Sequence, residues 1–299
     1  MKPRLFSGSA TALVTPMTDS GDIDYSALER LIAFQLENHT AALVAVGTTG
    51  ESATLSDEEK REIFRFVIRN VGGRIPVIAG TGSNDTAHAV RLSKEAQELG
   101  ADGLLVVTPY YNKASQEGLV RHYLAVAEQT EIPMIMYNVP TRTGVNLQPE
   151  TCRRLADHPN ICAVKEACSN LAQAARTAAL CGDDLAIYSG NDDLTLPILS
   201  LGGQGVISVA GNLIPAQMAA VCRLYQEGKM EESRAMFFNY LEFMEAMFWD
   251  VNPIPVKAAL ARVGLCGETC RLPLCSMEEE KKQKLYAKME SLGLTRKTF

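Results

Sequence analysis

Eight short runs of β-branched and leucine-rich sequence recur along this chain at intervals of about 20 to 35 residues, and that rhythm constrains the fold more than anything else. They are Ala10–Val14, Ala42–Val46, Ile75–Ala79, Gly103–Val107, Met134–Tyr137, Ile161–Lys165, Leu185–Tyr188 and Val206–Val209. None alternates polar with apolar residues, which is how strands buried on both faces read. Helical patterns fill the gaps. Leu28, Leu31, Ile32 and Leu36 form one apolar stripe. Ser56 with Glu59 makes a capping box, followed by a buried face of Ile63, Phe64, Val67 and Ile68. Ala89, Leu92, Ala96 and Leu99 make a third stripe, and Gly100 is placed to end that helix in the left-handed conformation.

The joints repeat as well. Leu99-Gly100-Ala101-Asp102-Gly103 and Leu201-Gly202-Gly203-Gln204-Gly205 each use one glycine to end a helix and a second to open a strand. Eight strand–helix units over some 225 residues point to an α/β protein of the (β/α)8 TIM-barrel type. A doubly wound sheet is the competing fold, but the first strand is not followed by a glycine-rich dinucleotide turn. The barrel is assigned to residues 1–226, and residues 227–299, which carry helical patterns and no good strand, form a C-terminal helical extension. The charged run 278–284 in that extension reads as a solvated helix face.

Composition excludes several function classes. Asp and Glu number 35 against 29 Lys and Arg, a net charge of -6 that argues against nucleic-acid and anionic-membrane partners. No apolar run is long enough to span a bilayer, and Ser7, Gly8 and Ser9 interrupt any signal-peptide core, so a soluble cytoplasmic protein is expected. The eight cysteines are too sparse for a disulfide scaffold. Cys266, Cys270 and Cys275 cluster, but their spacing is not one of the usual metal-binding patterns. His39, His88, His122 and His158 are too far apart in sequence to suggest a ligand pair. Serine-hydrolase, P-loop and zinc-protease motifs are missing.

In a barrel the chemistry sits at the C-terminal ends of the strands. There the chain carries Gly47-Thr48-Thr49-Gly50-Glu51, Thr108-Pro109-Tyr110-Tyr111-Asn112, Tyr137 through Gly144, Lys165-Glu166, and Ser189-Gly190-Asn191-Asp192. Lys165 closes an apolar run, so it should point from a buried strand toward the barrel mouth. Burial disfavours the ammonium and frees the amine to attack a carbonyl; an ion pair with Glu166 is the competing account. Gly47 and Gly50 flank two hydroxyls and leave amides open to a small anion, although a plain turn would read the same. Tyr137 lies on the strand next to Lys165, within proton-transfer reach or simply buried. Arg142 could grip a second carboxylate, or could be an exposed loop arginine. Lys257, with apolar neighbours in the helical region, reads as a stem lying along an apolar surface.

Six segments, GTTGE (47–51), TPYYNK (108–113), YNVPTRTG (137–144), VKEA (164–167), YSGND (188–192) and NPIPVKAAL (252–260), together resemble the dihydrodipicolinate synthase family of pyruvate-dependent class I aldolases. The likeness covers essentially the whole chain, in order. It implies a (β/α)8 barrel, a homotetramer built as a dimer of dimers, and condensation of pyruvate with L-aspartate 4-semialdehyde on the route to diaminopimelate and lysine. Carried over residue by residue, it implies an imine between Lys165 and pyruvate, with Tyr137 moving protons. Thr49 would connect Tyr137 to Tyr111 of a neighbouring subunit. Thr48 and Thr49 would hold the pyruvate carboxylate, Arg142 that of the semialdehyde, and Gly190 and Ile207 would present carbonyls near the lysine. No metal or organic cofactor is implied, because the lysine supplies the electron sink.

Related barrels that cleave N-acetylneuraminate or 2-keto-3-deoxy sugar acids share the lysine and tyrosine, and a catalytically silent binding barrel is the remaining alternative. The Thr48–Thr49 pair with Arg142 and Tyr111 favours the synthase. Cys168 stands where the family commonly has a small hydroxyl residue. Lysine-inhibited members bind the inhibitor near positions matching Ser52, Ala53, Asp57, Lys60, Asn84, His88 and Tyr110. The strongly inhibited ones tend to carry glutamate at the position of His88 and histidines at those of Asp57 and Lys60. Weak or absent feedback by lysine is therefore expected.

Overall fold

Each β-branched run becomes a strand, in a computed structural model that describes residues 2 and 4–295. The strands are β1 (Gly8–Ala12), β2 (Ala42–Ala45), β3 (Val77–Gly80), β4 (Gly103–Val107), β5 (Met134–Asn138), β6 (Ile161–Glu166), β7 (Ala186–Ser189) and β8 (Gly205–Ser208). All pair parallel, in chain order, and β8 returns to β1 to close the barrel. Two boundaries differ from expectation for a visible reason. β3 starts after Pro76, which has no N–H to give to the ladder. Val14 leaves β1 because its N–H bonds the Asn212 side chain (3.1 Å).

Closure needs a glycine. Gly205 (φ +150°) pairs with Gly8, and a Cβ there would sit 1.7 Å from the Gly8 carbonyl oxygen. Any other residue would push the first and last strands apart.

Helices alternate with the strands: α1 (Tyr25–Glu37), α2 (Asp57–Val71), α3 (Thr86–Glu98), α4 (Gln116–Ala127), α5 (Pro140–Thr143), α6 (Pro149–Leu155), α7 (Leu171–Cys181), α8 (Thr195–Ser200) and α9 (Pro215–Gln226). The capping box at α2 is formed in full: Glu59 N–H donates to Ser56 Oγ (3.2 Å) and Ser56 N–H to the Glu59 carboxylate (2.8 Å). Gly100 follows α3 at φ +93°. Beyond the barrel lie α10 (Met230–Ala246), α11 (Ile254–Val263) and α12 (Glu279–Ser291); the charged run 278–284 starts α12 and largely faces solvent.

Although apolar on both faces, the strands sort their side chains into two layers. Ala10, Val44, Ile78, Leu105, Ile135 and Ile207 fill the barrel interior. Leu43, Val77, Leu104, Met136 and Val206 pack outward against the helices. The Phe6 ring stacks on that of Tyr188 at 4.2 Å, and the Tyr188 hydroxyl donates to the Phe6 carbonyl (2.6 Å). Tyr188 thus anchors the N-terminal segment to the barrel interior. Among the described residues no helix is long and apolar enough to cross a membrane.

Candidate active site

A cavity of about 590 Å³ opens where the strands end. Lys165 and Tyr137 lie in its wall, with Thr49 from the β2 end, Arg142 from α5, Gly190 after β7 and Val209 after β8. Asp250 and Asn252 reach it from the connection between α10 and α11.

Lys165 reaches the interior because β6 contains a bulge. Met134 pairs with Ile161, but Ile135 pairs with Ala163, so Cys162 is an extra residue. Ile161 packs outward, and strict alternation from it would send residue 165 outward too. With Cys162 and Ala163 both turned inward, Tyr137 pairs with Lys165 on the interior face. The ammonium lies 4.3 Å from the centre of the Tyr137 ring. Lys165 is buried, and among the described residues its nitrogen forms neither an ion pair nor a hydrogen bond.

Glu166 therefore does not neutralise it. The next residue along a strand faces the other way, and the Glu166 carboxylate is taken up by Asn138 Nδ2 (3.0 Å) and the Cys168 N–H (2.8 Å). Burial raises the Glu166 pKa against the pull of those donors. Burial and the Glu166 charge push the Cys168 thiol up to about 12, so it carries no thiolate at neutral pH. Asp192 is a second buried acid. One of its oxygens accepts the N–H groups of Ala210 (2.8 Å) and Val209 (3.0 Å), and the other has no hydrogen-bond partner among the described residues. Burial raises its pKa, while those amides and the Lys165 charge oppose the shift.

Gly190 leaves the space beside the lysine. A Cβ on it would lie 2.6 Å from the Ala167 Cβ and 3.1 Å from Lys165 Cε. In the Gly47–Glu51 loop, the N–H groups of Gly50 and Glu51 close local turns onto Gly47 and Thr48. Those of Thr48 and Thr49 donate to no acceptor among the described residues, a pair of amides suited to a carboxylate. Thr49 lines the main cavity, and Thr48 a hollow of about 30 Å³ that shares Tyr137. Among the described residues Arg142 gives one hydrogen bond, from Nη2 to the Asn252 backbone carbonyl (3.2 Å), and its other donors have no partner.

Other candidates stand apart. Tyr111, 89% exposed at φ +75°, is outside the cavity of its own chain, and no hydrogen bond connects Thr49 with Tyr137 or Tyr111. Ile207 is fully buried in the barrel interior, and Val209 lines the cavity instead. Of the residues matched to an inhibitor site, Asp57, Lys60 and His88 meet: the His88 ring lies 3.0 Å and Lys60 Nζ 3.4 Å from the Asp57 carboxylate.

Lys257 corrects the sequence reading. It is no surface stem but is fully buried, ion-paired with Glu51 and donating to the Thr269 carbonyl (2.7 Å). Asn252, Asp250, Glu245 and Phe248 also went unrecognised as wall residues, because they come from the region read only as helical. The one signal for Asn252 was its place at the head of the NPIPVKAAL segment. All eight cysteines are free thiols, and no group of three or more metal-ligating side chains occurs among the described residues.

Comparison with known proteins agrees with this geometry. The model of the dihydrodipicolinate synthetase family matches residues 5–292. A 4-hydroxy-tetrahydrodipicolinate synthase of Geobacter sulfurreducens is 51% identical over 290 residues, covering 97% of this chain and all of the relative. The crystal structure of a chloride-inhibited dihydrodipicolinate synthase from Acinetobacter baumannii, complexed with pyruvate, is 41% identical with a TM-score of 0.95, over 96% of this chain and 99% of that one. A structure described as the first monomeric dihydrodipicolinate synthase variant is 44% identical, TM-score 0.95, over 97% and 98%. With the family model spanning the barrel and most of the C-terminal helices, the chain belongs to the dihydrodipicolinate synthetase family.

Proposed function

We propose that this chain is a 4-hydroxy-tetrahydrodipicolinate synthase, a lyase that condenses pyruvate with L-aspartate 4-semialdehyde. The observation that carries the reading is Lys165: a buried amine with no counter-ion among the described residues, beside Tyr137, on the wall of a cavity that also holds Arg142. Its nitrogen adds to the pyruvate ketone, and loss of water leaves an imine. Loss of a methyl proton makes the enamine, whose carbon bonds to the aldehyde carbon. The amine of the second substrate then attacks the imine carbon and expels Lys165, giving a cyclic product. Tyr137 exchanges the protons, and the Thr48 and Thr49 amides hold the pyruvate carboxylate. Arg142 takes the carboxylate of the semialdehyde. The carbonyls of Gly190 and Ile207 flank the lysine.

Tyr111 enters as a residue of a second copy. An exposed tyrosine in left-handed backbone gains most by docking elsewhere, so a dimer completes the Thr49–Tyr137 relay and two dimers form the tetramer. The C-terminal helical region, 227–299, works with the barrel, 1–226, as one unit, since Asn252 lines the cavity. The enzyme acts in the cytoplasm on small molecules, without nucleic acid or membrane. Lysine inhibits weakly, because Asp57 is already occupied by His88 and Lys60; Ser52, Ala53, Asn84 and Tyr110 complete the set of positions matched to the inhibitor site.

Incubation with pyruvate, borohydride reduction and mass spectrometry test the reading. A pyruvyl adduct on Lys165, and turnover of the semialdehyde in an assay coupled to the next reductase, are expected. No adduct on Lys165 would overturn it, and an adduct with turnover only of sugar acids would move the chain to the sugar-acid lyases.

A further inference from the structure

Asn252 bonds to both halves of the cavity. It is 4% exposed, its side-chain Nδ2 donates to Thr49 Oγ1 (3.0 Å), and its backbone carbonyl accepts from Arg142 Nη2 (3.2 Å). A hydroxyl has one proton. With the Nδ2–H given to its oxygen, the Thr49 O–H turns away from Asn252 and is free for an acceptor in the cavity that Tyr137 and Lys165 also line. Among the described residues Thr49 Oγ1 has no other partner, so its proton is uncommitted.

The support behind Asn252 is rigid. It lies just ahead of α11, on which Lys257 forms the buried pair with Glu51. Glu51 closes the Gly47–Glu51 loop at φ +56°, and its second oxygen accepts the Arg271 N–H (3.0 Å). The start of one helix thus grips Thr49 through Asn252, two residues ahead of it, and the end of the Thr49 loop through Lys257.

We propose that Asn252 is a positioning residue that sets the direction of the Thr49 hydroxyl, and with it the direction of proton transfer to and from Tyr137, while its backbone carbonyl places Arg142. This rests on the Schiff-base reading above. Asn252 acts through Thr49 and Arg142. It decides which way the neighbouring hydroxyl can donate.

The test is Asn252→Asp, which keeps the shape and replaces the donor with an acceptor. While ionised, the new carboxylate draws the Thr49 proton toward itself and reverses the bond. Near neutral pH kcat should fall by about 10²-fold, the lower end of what a positioned proton transfer contributes. KM for pyruvate should move by less than about threefold, because the carboxylate-binding amides are untouched. As pH falls and the carboxyl takes up a proton it can donate again, so activity should recover on the acid side. Arg142, Lys165, Tyr137, Asp193, Glu245 and Asp250 face the same space, with the Glu51–Lys257 pair behind. Wild type carries all of these, so a limb unique to the variant belongs to the new carboxyl.

An unchanged kcat, or an equal loss at every pH in a variant with wild-type circular dichroism, would overturn the proposal. If Asn252→Asp does not fold, Asn252→Ala combined with Thr49→Val decides. Losses that fail to add support the proposal, because without the hydroxyl Asn252 has nothing to direct, and additive losses overturn it. Absence of the Lys165 adduct in wild type would instead defeat the Schiff-base reading itself.

Discussion

Replacing Lys257 by methionine should be strongly destabilising although Lys257 lies outside the cavity wall. The side chains of Lys257 and Glu51 are 0% and 1% exposed, so removing the ammonium leaves a carboxylate in a site water cannot reach. Breaking a buried pair from one side costs about 3–5 kcal/mol. The Arg271 N–H still donates to Glu51 (3.0 Å), which favours the lower end of that range. For a chain of this size about 1 kcal/mol shifts the melting temperature by about 2 °C, so a fall of about 6–10 °C is expected. The double variant Lys257→Met/Glu51→Gln has no stranded charge, and its glutamine oxygen can still accept the Arg271 N–H. Its residual cost should be below about 1.5 kcal/mol, and its melting temperature should return most of the way to wild type. The assay is thermal unfolding of wild type, both singles and the double at one protein concentration, so that any assembly equilibrium is shared. A Lys257→Met melt within about 1 °C of wild type, or a double no more stable than that single, would refute the reasoning.

Other residues give shorter tests. Gly190→Ala should slow borohydride trapping of pyruvate on Lys165 by about tenfold or more, because the new methyl meets Ala167 at 2.6 Å and Lys165 Cε at 3.1 Å; an unchanged trapping rate would show that the wall gives way freely. Arg142→Ala should reduce kcat/KM for the semialdehyde by about 10–100-fold, the worth of a charge-assisted hydrogen bond, and leave imine formation nearly intact. Equal damage to both steps would contradict its role. His122 supplies a pH test: burial lowers its pKa to about 4, below the unfolded value near 6.5. The unfolded chain therefore binds a proton first, so this contribution is fully present above pH 6.5 and is lost as pH falls toward 4. Stability should drop by about 3 kcal/mol across that window, and His122→Gln should flatten the decline. An unchanged slope would exclude His122 as its source.

The barrel was legible because strands buried on both faces and amphipathic helices have different periods, and the alternation of the two repeats from one end of the chain to the other. Strand ends slipped where a side chain or a proline claimed the backbone: Asn212 takes the Val14 N–H, and Pro76 delays β3. The position of Lys165 in the cavity was anticipated for an incomplete reason. A lysine closing an apolar run marks a strand end, but period-2 alternation from Ile161 places it on the outer face. Lys257 was misread because apolar neighbours describe a surface stem and a buried ion pair equally well, and Glu51 lies far away in sequence.

By itself the sequence determined the eight strand–helix units, the capping box at α2, the glycines at the joints, and the residues at the strand ends, because each depends on neighbours a few positions away. Tertiary structure alone decided three further matters. The Cys162 bulge turned Lys165 inward beside Tyr137, since register is set between strands and not within one. The approach of β8 to β1 made Gly205 obligatory. The docking of α11 joined Asn252 to Thr49 and Lys257 to Glu51, pairing groups about 200 residues apart whose meeting no local pattern encodes.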